Sequence, residues 1–185
     1  MLSIFVAATL ALQTPKYPAD PPAIMVYWEP GHTFPSPGFH IDVAIWEDGR
    51  AIWREPRAKY ERQKDGHWIL NKGRYYAATL KPNEVRAAME QLEKQGILGK
   101  KFESYILVDG NFTEQNLRYR GMSTSLAANG GFEPNPTASN AAEARKSRNA
   151  WLGIDHAIKL LIPRKGTPTV EPPTAVWINW LRPEN

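Results

Sequence analysis

Hydrophobic and polar residues alternate along several short segments of the chain, as they do in half-buried β-strands. The clearest example runs from Phe39 to Arg54 and is interrupted by Asp48-Gly49, a dipeptide that favours a tight hairpin turn. A two-residue turn there would pair Ile45 with Ile52. This register places Ile41, Val43, Ile45 and Ile52 on one face, which we expect to be the core face, and His40, Asp42, Ala44, Trp46, Ala51 and Trp53 on the other.

Other segments of the chain carry weaker strand signals. We expect a strand pair, His67–Leu70 with Arg74–Leu80, around the turn residues Asn71-Lys72-Gly73. The charged segment from Arg54 to Gly66 is typical of a solvated loop or a strand extension. The remaining predicted strands are Ala23–Trp28, Phe102–Val108, one or more within Gln115–Leu126, and Thr174–Leu181.

The first predicted helix begins at Pro82, which suits the first turn, and Glu84 favours the positive end of the helix dipole. Gly96 is its predicted stop. Its one-sided apolar stripe consists of Val85, Ala88, Met89 and Leu92.

The second predicted helix has Asn140 and Glu143 at the spacing of a capping box, and Pro163 ends it. Its apolar face carries Trp151, Ile154, Ile158, Leu161 and Ile162. The order of strands and helices predicts an α+β fold, with two helices packed on one face of a largely antiparallel sheet.

The N-terminal residues form an apolar run, Leu2–Leu12, which is too short for a membrane span but has the length of a signal-peptide core. No Lys or Arg precedes the run, and a buried first strand or helix is the alternative. We predict a signal peptide at 1–13, a proline-rich spacer at 14–22 and one α+β domain at 23–185. An exported, periplasmic or secreted protein is the corresponding expectation.

The Asp48-Gly49 hairpin, followed by a helix that opens with Leu80-Lys81-Pro82-Asn83-Glu84-Val85, resembles small exported or envelope-associated bacterial domains of unknown function. The resemblance covers about half of the chain, and its motifs are ordinary turn and cap chemistry. Lys81 stands where such domains have a capping serine. The resemblance implies an envelope location and assigns no catalytic residue.

Composition narrows the chemistry. The 185 residues contain no cysteine, which excludes disulfide scaffolds, cysteine-ligated metal centres and thiol nucleophiles. The net charge of +4 is mild and identifies no partner. Seven tryptophans are the most unusual feature. We predict no cofactor and no metal; His40, Asp42 and His32 lack a recognised ligand spacing.

The predicted ligand-binding surface is the hairpin face with His40, Asp42, Trp46 and Trp53. Exposed tryptophans at this spacing could stack on sugar rings or anchor a protein partner, whereas burial under a helix or the proline-rich segment is the alternative. The expected role is therefore non-catalytic binding, or a structural role, with a protein or glycan of the bacterial cell envelope.

Two other functions stay open. A hydrolase could assemble histidine and carboxylate groups from different loops, although Gly121-Met122-Ser123-Thr124-Ser125 lacks the second glycine of a nucleophile elbow. The other alternative is a cytosolic nucleic-acid-binding protein. It rests on a basic run with interleaved aromatic residues, Arg50, Arg54, Arg57, Lys59, Arg62 and Lys64 with Trp53 and Tyr60.

Overall fold

A computed structural model describes residues 17–29, 40–71, 73–102, 112–128, 141–173, 176 and 180. These residues form a seven-stranded sheet, a separate two-stranded sheet and two helices. Every strand pair in the described part is antiparallel. The predicted α+β fold with a large antiparallel sheet is therefore confirmed.

The large sheet has the strand order β8-β7-β1-β2-β3-β6-β9, and β4 pairs with β5 in the small one. The turn between β7 and β8 consists of Arg120 and Gly121, both with positive φ. The strands are β1 (Ile24–Glu29), β2 (His40–Ile45), β3 (Arg50–Glu55), β4 (Tyr60–Arg62), β5 (Trp68–Leu70), β6 (Arg74–Thr79), β7 (Phe112–Tyr119), β8 (Met122–Ala128) and β9 (Thr167–Thr169).

The β2–β3 hairpin has a register one residue away from the predicted one. Gly49 donates its N–H to the Trp46 carbonyl at 3.0 Å, and Trp46 donates to the Arg50 carbonyl at 2.9 Å. The loop therefore has three residues, with Gly49 at a φ of +92°. Ile45 consequently pairs with Ala51 instead of Ile52. The predicted two-residue turn is wrong. Asp-Gly occurs in two-residue and in three-residue hairpin loops, so this dipeptide does not decide the loop length.

A bulge in β2 changes the alternation a second time. Val26 on β1 pairs with Val43, whereas the next residue, Tyr27, pairs with Ile41, so Asp42 is the extra residue. The predicted aliphatic core face is therefore wrong, because its members divide between the two sides. Val43 and Ile45 lie on the side of the helices, and Ile41 and Ile52 lie on the other side.

Both helices, α1 (Pro82–Lys94) and α2 (Ala141–Leu161), pack on one side of the sheet, as predicted. The helix-side core includes Ile24, Val26, Val43, Ile45, Trp53, Val85, Met89, Leu92, Leu117, Leu126, Ile154 and Ile158. Within the described residues, no helix has the length and apolar character needed to cross a bilayer.

Segments near the two chain ends cover the opposite face of the sheet. Trp46 donates its indole N–H to the Asp20 carbonyl at 2.9 Å, and Trp180 donates to the Pro18 carbonyl at 2.8 Å. The two indole rings meet edge to face, 4.9 Å apart. Tyr17 also lies against the Trp180 ring. Residues 17–22 thus belong to the packed domain and not to a spacer.

Several sequence-based assignments differ from the structure. β5 pairs with β4 and β6 pairs with β3 and β9, so the predicted pair around Asn71-Lys72-Gly73 is wrong. The predicted strand Thr174–Leu181 is wrong at Val176 and Trp180, which are helical. The short edge strand β9 was missed. Leu2–Leu12, Asn140 and most of Phe102–Val108 lie outside the described residues.

Gln115 is a buried polar side chain in the sheet. It lies on β7, is fully buried, and neither nitrogen nor oxygen of its amide has a hydrogen-bond partner among the described residues. It pairs with Val26 on one side and Leu126 on the other. An unsatisfied buried polar group costs about 1–3 kcal/mol, so Gln115 is a local weakness in the sheet.

We expect Gln115→Met to raise the free energy of unfolding by about 1–3 kcal/mol, because methionine has a similar length and no unpaired polar atoms. Urea denaturation measures the change. The matched control is Gln91→Met on the exposed side of α1, which should change stability by less than about 0.5 kcal/mol. A destabilised Gln115→Met protein would contradict the interpretation.

Candidate functional site

The structure separates the two tryptophans of the predicted binding face. Trp46 lies on the side of the sheet that Tyr17, Val176 and Trp180 cover, and Trp53 lies on the helix side. Each indole is at least 97% buried, and Trp53 stacks on Tyr76 with ring centroids 5.9 Å apart. The prediction that the two rings share one face is wrong, because the hairpin register differs by one residue.

His40 and Asp42, the other two predicted residues, do lie in one cluster of polar side chains. We call His40, Asp42, Arg54, Tyr75 and Glu171 the polar cluster. Glu171 accepts a hydrogen bond from the Tyr75 hydroxyl at 2.7 Å, and its same oxygen lies 3.0 Å from His40 Nδ1. The cluster therefore joins β2, β3 and β6 to the segment that follows β9.

Asp42 is the most perturbed acid of the polar cluster. Its carboxylate is almost fully buried, and it accepts a 2.8 Å hydrogen bond from the Ala58 backbone N–H. Arg54 Nη1 lies 4.0 Å away. Burial raises the pKa of Asp42 to about 6, because it outweighs the hydrogen bond and the nearby Arg57, Arg54 and His40.

The pKa values of Glu171 and Tyr75 are shifted in opposite directions. Burial raises the pKa of Glu171, but hydrogen bonds from His40 and Tyr75 outweigh it and hold the pKa below its ordinary value. Burial and the adjacent Glu171 raise the pKa of the Tyr75 hydroxyl. Glu171 is therefore a carboxylate and Tyr75 a neutral donor at neutral pH.

Sequence reasoning missed Arg54, which it placed in a solvated segment. Arg54 is only 4% exposed and donates through Nη2 to the Asn71 carbonyl at 2.5 Å. A Cβ atom on Gly73 would lie 2.3 Å from Arg54 Nε, so glycine makes room for the guanidinium. The sequence signal for this arrangement is Gly73 itself, and a glycine does not indicate which side chain packs against it.

The polar cluster is closed to solvent where a catalytic histidine would react. His40 Nδ1 contacts a carboxylate, so Nε2 is the nitrogen that would transfer a proton. That atom is buried and has no hydrogen-bond partner among the described residues. His40 and Asp42 also line none of four cavities, of 310, 370, 490 and 700 Å³, that described residues form. The cluster holds the segment after β9 against the sheet.

A cavity of about 700 Å³ lies between the end of α1 and the first half of α2. We call it the lysine groove, because Lys100, Lys101 and Lys146 line it. Its remaining lining residues are Gln95, Gly96, Ile97, Phe102, Glu143, Asn149, Ala150 and Gly153. The volume falls in the range of ligand sites.

Local structure at the end of α1 positions the lysine groove. Ile97 donates to the Leu92 carbonyl at 3.0 Å and Gly96, at a φ of +68°, donates to the Glu93 carbonyl at 2.8 Å. This Schellman motif confirms Gly96 as the stop of α1. On the facing helix, a Cβ atom on Gly153 would lie 2.9 Å from Ile97 Cδ1. Glycine there lets α2 approach the loop after α1.

The lysine groove has an excess of positive charge. Lys146 pairs with Glu143 at 2.6 Å, and both side chains are exposed. Lys100 and Lys101 are also exposed, and neither forms an ion pair with a described residue. Two ammonium groups on the same rim therefore lack a counter-charge from the described part of the protein.

By contrast, most of the basic run in residues 50–64 is neutralised within the fold. Four of its cations have a carboxylate within 4.0 Å. The pairs are Arg50–Asp48, Arg54–Asp42, Arg57–Asp155 and Lys59–Glu61. The run is therefore not a continuous basic surface of the kind that nucleic-acid binding uses.

Comparisons with known proteins assign no family or function to the chain. Neither protein-family models nor curated proteins give a match to the chain.

We expect Asp42→Asn to change how stability depends on pH. The folded-state pKa of about 6 lies above the ordinary value of 3.8, so the folded protein binds the extra proton. The contribution of Asp42 is fully present below about pH 3.8 and is lost as pH rises through about 6. Relative to wild type, Asp42→Asn should therefore gain about 2–3 kcal/mol between pH 4 and pH 7.

Denaturation at a series of pH values measures the difference in free energy of unfolding between Asp42→Asn and wild type. Groups that titrate equally in both proteins do not contribute to this difference. Asp48→Asn is the control, because the hydrogen bond from Arg50 lowers the pKa of this exposed carboxyl. Asp48→Asn should thus lose stability relative to wild type as pH rises through the titration of Asp48. A flat difference for Asp42→Asn would contradict an abnormal pKa at this site.

Proposed function

We propose that this chain is an exported, non-catalytic binding domain of the bacterial cell envelope, and that the lysine groove is its working surface. The observation that carries the proposal is the groove's volume of about 700 Å³ together with Lys100 and Lys101, which form no ion pair with a described residue. The lysine groove replaces the tryptophan pair as the proposed binding surface, because Trp46 and Trp53 are buried on opposite faces of the sheet.

The arrangement of the sheet supports a surface at the helices. Helices cover one face of the sheet, and the segments near the chain ends cover the other around Trp46 and Trp180. A ligand therefore has little sheet surface to contact in the described structure. Among the four cavities described above, the lysine groove at the junction of α1 and α2 has the largest volume.

The export part of the proposal rests on the apolar run Leu2–Leu12. Cleavage after Ala8 or Ala11 leaves the whole packed segment 17–22 attached to the domain. A mature protein that starts there keeps the carbonyls of Pro18 and Asp20 that accept the hydrogen bonds from Trp180 and Trp46. Removal of the run is thus compatible with the described fold.

The first experiment combines cell fractionation with intact-mass measurement of the native protein in a bacterium. We expect a chain shortened by about 8–13 residues in the periplasm or medium, consistent with signal-peptide removal. A full-length chain confined to the cytosol would overturn the export proposal.

The second experiment tests the groove by co-sedimentation of the purified protein with a bacterial envelope fraction. Lys100→Gln/Lys101→Gln should reduce the bound fraction at least several-fold, because it removes both uncompensated charges. Arg164→Gln/Lys165→Gln is the control, since it removes the same charge from exposed neighbours beyond α2. Equal binding by both variants and wild type would reject the groove as the working surface.

A hydrolase is the second candidate, because one observation favours it: the contact of His40 Nδ1 with the Glu171 carboxylate. A carboxylate in this position orients an imidazole for proton transfer, although the buried Nε2 of His40 would first have to become accessible to a substrate. Hydrolysis of p-nitrophenyl acetate that is lost in His40→Asn, with unchanged folding, would support a hydrolase over a binding domain. Equal rates for wild type and variant would exclude His40 as the base for this reaction.

A further inference from the structure

The charges of the lysine groove define the sign of its ligand. Lys100 and Lys101 are adjacent and exposed, and Lys146 faces them from α2 across the groove. Only Glu143 opposes them in the lining, and it pairs with Lys146. Bringing another cation here is unfavourable, whereas a ligand with several negative charges neutralises the rim.

The type of cation indicates how those negative charges are arranged. All three basic lining residues are lysines, which present single point charges on flexible stems. The planar fork of arginine, which donates two parallel hydrogen bonds to one carboxylate or phosphate group, is absent from the lining residues described. Separate ammonium groups fit single carboxylates spaced along a chain.

The uncharged lining residues offer hydrogen-bonding groups and an apolar surface, the two kinds of contact that a sugar ring makes. Gln95 and Asn149 are exposed amides, each with a donor and an acceptor for hydroxyl groups. Phe102 is half-buried, and the buried Ile97 and Ala150 continue the apolar surface. A pyranose ring has both hydroxyls at its edge and an apolar C–H face, so it matches this mixture.

Two other polyanions fit the lining less well. Single-stranded nucleic acid stacks successive bases on several aromatic side chains, and Phe102 is the one aromatic residue among the lining residues described. A folded protein partner needs a central apolar area of interface size, whereas only three side chains among the lining residues described are apolar: Ile97, Phe102 and Ala150.

We propose that the lysine groove binds a linear glycan that carries carboxylate groups. This inference rests on the proposed binding function and specifies its ligand. The lysines hold the carboxylates, the amides of Gln95 and Asn149 bind hydroxyls, and Phe102 contacts the apolar face of a sugar ring.

Polygalacturonate oligomers and their methyl esters are a matched pair of probes, because esterification removes the charge and keeps the sugar. We expect the wild-type protein to bind the acid form at least tenfold more tightly than the ester in isothermal titration calorimetry. Lys100→Gln/Lys101→Gln should lose at least tenfold in affinity, and Arg164→Gln/Lys165→Gln should lose less than twofold. Asn149→Ala should weaken binding of the acid form and of the ester by the same factor.

Polyglutamate and single-stranded DNA of equal charge are the competing probes. Equal or tighter binding of either would overturn the glycan assignment, as would no binding of polygalacturonate. If envelope binding still requires Lys100 and Lys101 in that case, the proposed function stands and only the ligand class fails. If envelope binding is independent of both lysines, the proposed function fails as well.

Discussion

The extra residue at Asp42 is the constraint on which much of this structure depends. A single inserted residue reverses the alternation of β2, so Ile41 and Val43 lie on opposite sides of the sheet. The bulge also places a carboxylate within 2.8 Å of the Ala58 N–H and 4.0 Å of the buried Arg54 guanidinium. Both apolar clusters and the polar cluster therefore depend on one irregularity in one strand.

The divided alternation explains why both faces of the central strands β1, β2 and β3 are covered in the described structure. Each side carries enough apolar surface to require a cover, and the protein uses different covers for the two. Helices α1 and α2 supply one through regular amphipathic stripes, whereas short segments nearer the two ends of the chain supply the other through Tyr17, Val176 and Trp180. The binding site that we propose accordingly lies at the junction of α1 and α2 and not on the sheet.

The sequence was sufficient to predict features whose causes are local. Pro82 and Gly96 delimit α1 through backbone chemistry of neighbouring residues, and the apolar period of α2 is continuous. The hairpin residues Asp48-Gly49 were recognised, but loop length and the bulge decide the register, and neither has a distinct local signature. The side chains of Arg54, Tyr75 and Glu171 meet His40 and Asp42 only through pairing of distant strands. The lysine groove likewise joins residues about 50 positions apart.

The contact between Tyr17 and Trp180 on one face of the sheet also means that the order of the elements along the chain could be changed. The rings of Tyr17 and Trp180 are 6.4 Å apart, so a short peptide could connect residues 17 and 180 directly. The exposed two-residue turn at Arg120 and Gly121 offers a place to open the chain, because Tyr119 and Met122 stay paired across it by hydrogen bonds. A circular permutant with new termini there would retain all strand pairs of the large sheet and would move the termini to the end of the sheet where β7 and β8 meet.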